Sequence, residues 1–184
     1  LEIRGAGNLR GTQQSGHLAA VGYELYCQLL ESAVLSLKTM PPRLSIDVDI
    51  ALPGEAYLPT DYVPDMRLKI DLYRKMSRVT STEELGELRE ELLDRFGALP
   101  DPVQRLLARE QLRIEAAIWQ IAEIYQEDHY LVFRYTNRSR IEQLAKLGGG
   151  KLRVVDSSSA YLPIPKDVTD PDAIQETAKS VLQH

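Results

Sequence analysis

Residues 91–102 read Glu-Leu-Leu-Asp-Arg-Phe-Gly-Ala-Leu-Pro-Asp-Pro, a stretch that predicts the end of one helix and the start of another. Gly97 is suited to follow the first helix, because glycine adopts the left-handed conformation common at that position without steric cost. Asp101 can cap the next helix, with Pro102 at the first helical position, where the missing N–H is no loss. The stretch therefore predicts two helices joined by a short connection.

Helical spacing of apolar residues continues on both sides of this stretch. Before it, Ser81 and Glu84 match a capping box at the start of the first helix, and another helix is predicted at about 65–79. After it, the spacing persists to about residue 117. Farther upstream, residues 17–40 form a longer amphipathic stretch that two consecutive prolines end.

Strand-like patterns dominate after residue 119. The predicted strands lie at 121–125, 130–135, 152–155 and 161–164, and the predicted helix caps are Asn137 and Asp170. Alternating apolar residues at 44–52 predict one more strand, with Asp47 and Asp49 on its polar face. The predicted fold class is α+β: a helical middle packed with a small mixed or antiparallel sheet, preceded by a glycine-rich loop and a long connecting helix.

The 184 residues carry 22 basic and 27 acidic side chains, for a formal net charge of −5. An acidic chain argues against a self-sufficient nucleic-acid binder, which is usually basic. No apolar run approaches the roughly 18 residues of a membrane helix, and the single cysteine, Cys27, excludes an internal disulfide framework. Because residue 1 is Leu and no signal peptide follows it, we expect a piece of a longer cytoplasmic protein.

Nucleotide and metal sites are not predicted. In residues 1–16 the third glycine is one place too late for a dinucleotide fingerprint. Residues 148–151 contain three glycines and a lysine, but Leu152 stands where a phosphate-binding loop needs Ser or Thr, so we expect a helix end and a turn. No Cys or carboxylate lies at ligand spacing from the scattered histidines, which are His17, His129 and His184.

Two alternatives from other functional classes remain open. A hydrolase using Asp47 and Asp49 would be active as the isolated chain and would hold both carboxylates in one pocket, whereas the simpler interpretation is a solvated strand face. A nucleic-acid module would instead bind DNA in a salt-dependent manner through its arginines. Those arginines are Arg4, Arg10, Arg134, Arg138 and Arg140.

The acidic charge is concentrated in residues 83–95. This segment contains six acidic and two basic side chains, so it carries −4 of the total −5. One interpretation is a solvated helix face with acidic residues favoured near its N-terminus. The other is an acidic docking surface for a basic patch on a partner.

Several stretches resemble the transcription-repair coupling factor (Mfd) family. Residues 1–16 are similar to the end of the translocation motif that this family shares with the RecG helicase. Residues 22–31 and 62–73 resemble the C-terminal domain of the same family, and residues 91–102 are the most specific match. These matches cover about residues 1–118, and the long C-terminal domain favours this family over the alternative, a RecG-like helicase.

The resemblance implies a parent that is an ATP-driven translocase on double-stranded DNA. Such a parent displaces stalled RNA polymerase and recruits UvrA in nucleotide excision repair. ATP and Mg²⁺ would belong to helicase lobes outside this chain, so the chain is expected to be non-enzymatic, with no cofactor and no membrane partner. In this family the C-terminal domain folds back on a UvrB-like module and hides the UvrA-binding surface, which implies an autoinhibitory clamp.

The resemblance also assigns roles to two groups of residues. The motif end that couples lobe movement to translocation would comprise Arg4, Gly5, Gly7, Gly11, Gln14, Ser15 and Gly16. Glu91, Asp94 and Arg95 are placed at the contact with the UvrB-like module, where we expect Glu91 and Asp94 to pair with basic residues. The predicted organisation is a motif loop at 1–16, a connecting helix at 17–40 and a regulatory α+β domain at 41–184, with no catalytic residue.

Overall fold

A computed structural model describes residues 47–183, which form five helices and five strands. The helices are α1 (Met66–Arg78), α2 (Thr82–Phe96), α3 (Asp101–Ile118), α4 (Arg138–Leu147) and α5 (Pro171–Leu182). The strands are β1 (Asp49–Ala51), β2 (Ile121–Glu127), β3 (Tyr130–Tyr135), β4 (Arg153–Val154) and β5 (Ser159–Pro163). The predicted loop at 1–16 and the predicted helix at 17–40 lie outside the described residues. Within residues 47–183, no helix is long and apolar enough to cross a membrane.

Short-range capping signals set the starts of three helices where the sequence predicts them. The side chains of Ser81, Asn137 and Asp170 each accept a hydrogen bond from the backbone N–H three residues later, at 3.2, 3.2 and 3.3 Å. These contacts satisfy backbone donors that the first turn of a helix leaves without partners. Glu84 reaches back as in a capping box, but its carboxylate accepts from the N–H of Thr80 at 2.8 Å.

The connection between α2 and α3 differs from the prediction by one residue. Gly97 follows α2 with φ +80° and donates its N–H to the carbonyl of Leu93 at 3.0 Å, as predicted for a helix end. The sequence predicts Asp101 as the cap of α3, but Asp101 is the first residue of this helix. Pro100 occupies the cap position, and no side chain caps the helix.

The sheet is mixed, with strand order β1-β2-β3-β5-β4. β1 runs parallel to β2, and the other neighbours are antiparallel. The predicted strands at 121–125 and 130–135 form a hairpin: β2 and β3 pair up to Glu127 and Tyr130, so Asp128 and His129 form the turn, with Asp128 at φ +50°. The α+β class is therefore confirmed.

Helices α3, α4 and α5 cover one face of the sheet. Residues from these helices and from all strands except β1 and β4 form the main apolar core, with Phe133 of β3 among the fully buried side chains. Strand residues alternate between faces, so the opposite face of the sheet carries Tyr125, Tyr130, Arg134 and Tyr161.

A second set of buried apolar residues connects α1 and α2 to α3. Leu88, Leu92 and Val103 are fully buried but do not belong to the core on the sheet. Arg113 of α3 donates to the carbonyl of Val79, just after α1, at 2.9 Å. Helix α3 therefore contributes to both apolar regions and places α2 on the side of α3 away from the sheet.

A buried hydrogen bond fixes the loop between β1 and α1. The Leu58 N–H donates to the Tyr73 hydroxyl at 2.8 Å, and Leu58 is 1% exposed. We expect Tyr73→Phe to lower the free energy of unfolding by about 1–3 kcal/mol, because the buried N–H loses this acceptor. Tyr130→Phe, which changes a half-exposed ring, should stay within about 0.5 kcal/mol of the parent. Urea denaturation compares the two, and equal midpoints would contradict the role of this bond.

Candidate docking surface

Four acidic side chains form a line along α2. Glu83, Glu87, Glu90 and Asp94 are exposed, and their spacing of four, three and four residues places them on one helix face. The buried face of α2 holds Leu85, Leu88 and Leu92. The line, which we call the acidic stripe, therefore points away from the body of the protein.

The acidic stripe keeps its charge within the described part of the chain. None of its four carboxylates forms an ion pair with another described residue. Hydrogen bonds from its own backbone N–H and from Ser81 hold the pKa of the Glu83 carboxyl below its usual value, so this carboxyl stays ionised at neutral pH. The stripe thus presents four negative charges to the surroundings.

Glu91 lies beside the stripe but is already neutralised. Its carboxylate forms ion pairs with Lys75 of α1 and with Arg95, the latter at 2.7 Å. The hydrogen bond with Lys75, followed by that with Arg95, lowers the pKa of Glu91 against the opposing effect of its burial. Of the two carboxylates predicted to pair with a partner, only Asp94 is free to do so among the described residues.

Aromatic contacts hold the end of α2 in place. The Tyr62 hydroxyl donates to the carbonyls of Leu92 at 3.1 Å and Gly97 at 3.2 Å, and its ring centroid lies 5.5 Å from that of Phe96. Burial raises the pKa of the Tyr62 hydroxyl, which therefore remains a donor. The Arg95 guanidinium lies 5.3 Å from the centre of the Phe96 ring. These contacts limit the motion of the helix end that carries Asp94.

Gly86 leaves open space beside the stripe. It lies one turn from both Glu83 and Glu90, and a Cβ atom at this position would meet nothing within 4 Å. Glycine inside a helix costs about 1 kcal/mol relative to alanine, and no contact within the described residues requires it here. A partner could therefore approach the helix backbone closely next to the carboxylates.

The structure does not gather the other candidate residues into a site. Asp47 and Asp49 are both exposed, as in a solvated strand face. Gly148 ends α4, and Gly149 and Gly150 adopt φ values of +69° and +75°, as in the predicted turn. Within residues 47–183, no group of three or more His, Cys, Asp or Glu side chains is arranged to hold a metal ion.

The described arginines of the nucleic-acid alternative are engaged within the protein. Arg134 pairs with Glu123 at 3.5 Å and Arg138 with Glu142 at 2.8 Å. Arg140 donates to the carbonyl of Ile118 at 2.5 Å. Each of these three arginines therefore has an acceptor within the protein. Arg4 and Arg10, like the whole translocation motif, lie outside the described residues.

The match to a known family covers this surface. The TRCF domain profile matches residues 52–145, which is half of the chain and includes α1, α2 and α3. The chain belongs to the TRCF domain family. The predicted resemblance to transcription-repair coupling factors is therefore confirmed.

Several relatives of this chain are named transcription-repair-coupling factors. The transcription-repair-coupling factor of Myxococcus xanthus is 44% identical over 115 residues, which is 62% of this chain and 10% of that protein. The transcription-repair-coupling factor of Escherichia coli K12 is 33% identical over 153 residues, or 80% of this chain and 13% of that protein. The chain thus spans about a tenth of the length of these relatives.

A solved structure shares the fold. The crystal structure of a C-terminal domain of transcription-repair coupling factor aligns with a TM-score of 0.62 at 22% identity, covering 74% of this chain and 92% of that one. The TRCF domain described here therefore has the α+β architecture of that C-terminal domain.

Proposed function

We propose that this TRCF domain is a non-catalytic regulatory clamp within a transcription-repair coupling factor. The acidic stripe would dock on a basic surface of the UvrB-like module of the same protein and mask the UvrA-binding surface. The parent would be a cytoplasmic translocase on double-stranded DNA that uses ATP and Mg²⁺, displaces stalled RNA polymerase and recruits UvrA for transcription-coupled nucleotide excision repair.

The observation that carries this proposal is the unpaired charge of the stripe. Four exposed carboxylates face away from the core without an ion pair among the described residues, although the same helix pairs Glu91 twice. Like charges one turn apart on a helix face repel each other and destabilise the helix. A basic partner surface would turn this repulsion into attraction.

The exposed charges of the acidic stripe are suited to a reversible contact between the clamp and the UvrB-like module. Exposed charge pairs contribute modest affinity and are screened by salt. A docking surface in the same chain benefits from a high effective concentration, so weak contacts suffice to keep it closed. The roles of Glu91 and Arg95 would be to fix the end of α2 through Lys75 and Phe96 while Asp94 meets the partner.

A competition experiment tests the proposal. The 184-residue chain is expected to bind the isolated UvrB-like module in a pull-down, and UvrA should displace it, because both would use the same surface. Binding should weaken between 50 and about 500 mM NaCl as charges are screened. Simultaneous binding of UvrA and this chain to the module would contradict the clamp.

A further inference from the structure

The sheet face opposite α3, α4 and α5 contains a cleft that the proposed clamp does not use. It has a volume of about 430 Å³ and is lined by Tyr130, Arg153, Val155, Tyr161 and Pro163. We call it the tyrosine cleft. It lies at the β3, β5 and β4 end of the sheet, on the face opposite α3, α4 and α5.

Strand register brings the lining residues together. Arg153 is the cross-strand partner of Tyr161, and Tyr130 is the partner of Pro163, so all four side chains project from the same face. The Tyr130 and Tyr161 rings meet edge to face, with centroids 5.8 Å apart. The cleft is therefore built from paired positions on three strands rather than from loop side chains alone.

The cleft combines apolar walls with one unused positive charge. Tyr130 is 45% exposed and Val155 is 63% exposed, a large apolar area for an open surface. Arg153 is the only charged residue lining the cleft, and no described residue forms an ion pair or hydrogen bond with its guanidinium. Tyrosine and arginine are among the residue types enriched at protein interfaces.

We infer that the tyrosine cleft binds a short peptide segment of a partner protein, with a carboxylate on Arg153 and an adjacent apolar side chain packed against the paired rings of Tyr130 and Tyr161. Charge complementarity selects the carboxylate, because a guanidinium binds it through two parallel hydrogen bonds. The apolar side chain would gain contact with two rings that already pack against each other, and these rings would therefore lose little entropy on binding.

The surrounding charge favours a peptide over a nucleic acid. Glu127 accepts a hydrogen bond from the Tyr161 hydroxyl at 3.2 Å, so a carboxylate lies at the border of the cleft. A single strand places a phosphate at every nucleotide, and phosphates beside the cleft would meet the Glu127 carboxylate, whereas a peptide can carry a single negative charge opposite Arg153.

The test is a selection of 12-residue random peptides displayed on phage against the 184-residue chain. We expect the enriched peptides to share an Asp or Glu next to an apolar residue. Synthetic copies should bind at least fivefold more weakly to Arg153→Glu and to Tyr161→Ser, and equally to Arg134→Glu, a control with the same charge change on the same sheet face. Amide replacement of the peptide carboxylate should weaken binding by a similar factor.

Other outcomes would overturn this inference. Peptides without a shared carboxylate, or peptides whose binding is unaffected by Arg153→Glu, would exclude the cleft as their site. Binding of fluorescent oligo(dT) that Arg153→Glu abolishes, with no peptide enriched, would assign the cleft to single-stranded nucleic acid instead. Because the cleft is on the sheet and the acidic stripe is on α2, Asp94→Arg should leave peptide binding unchanged, so failure of one proposal is distinguishable from failure of the other.

Discussion

Asp94→Arg in the full-length parent is expected to raise its affinity for UvrA by on the order of tenfold and to raise its ATPase rate. Asp94 is exposed and has no ion pair among the described residues, so its reversal leaves the local fold intact. It would place a positive charge against the basic surface proposed for the partner. A coupling of 1–3 kcal/mol is typical between linked sites, and about 1.4 kcal/mol corresponds to tenfold.

Two comparison variants separate docking from local effects. Asp167→Arg makes the same charge change at another exposed position and should leave UvrA affinity unchanged. Glu91→Gln should raise UvrA affinity less than Asp94→Arg does. The Glu91 carboxylate already forms ion pairs with Lys75 and Arg95, so it contributes little to the attraction of a basic partner surface. Titration of each variant with labelled UvrA measures the effect. Unaltered affinity in Asp94→Arg would refute the proposed contact.

The local elements could be predicted from the sequence because their causes lie within a few residues. Ser81, Asn137 and Asp170 each cap a helix by bonding an N–H three residues later, and such a pattern is visible in the chain itself. Gly97 is similar, since only a residue tolerant of positive φ ends α2 there without strain.

The sheet order could not be predicted in the same way. β1 pairs with β2 across about 70 residues of intervening chain, and β5 inserts between β3 and β4. Nothing in the spacing of apolar residues encodes which strands become neighbours. Alternation at 44–52 predicted a longer strand, but only Asp49–Ala51 pairs among the described residues, because pairing depends on the position of β2.

The candidate docking surface could likewise be predicted only in part from the sequence. The spacing of Glu83, Glu87, Glu90 and Asp94 was readable as one helix face, yet the total charge of residues 83–95 alone did not separate this face from its neighbours. The ion pair of Glu91 with Lys75 joins two helices and depends on their packing. Only the structure could therefore distinguish the paired Glu91 from the unpaired Asp94.

Phe133→Ala is expected to lower the free energy of unfolding by about 3–5 kcal/mol. Phe133 lies on β3 in the middle of the sheet, is 0% exposed and belongs to the core that α3, α4 and α5 cover. Removing the ring leaves a cavity that the surrounding strands and helices can fill only in part. Because small domains are stable by about 5–15 kcal/mol, this loss is a large fraction of the total.

The same variant tests whether the docking helix and the sheet unfold together. α3 carries Leu112 and Ala116 in the core on the sheet, and Val103 and Leu106 among the buried residues on its other side. A cavity at Phe133 should therefore shift one cooperative transition rather than unfold the sheet alone. Far-UV circular dichroism reports the helices, and the single tryptophan, Trp119, reports the end of α3, where its ring nitrogen donates to the Leu182 carbonyl at 3.1 Å.

Both signals should move to the same lower urea midpoint in Phe133→Ala. Tyr130→Ala, on the same strand, should lower the free energy of unfolding by only about 1 kcal/mol or less and so shift that midpoint far less, because its ring is 45% exposed. Tryptophan fluorescence that changes well before the helical signal would mean that α1 and α2 form an independent unit. The acidic stripe would then owe its rigidity to the contacts of Tyr62 and Lys75 rather than to the sheet.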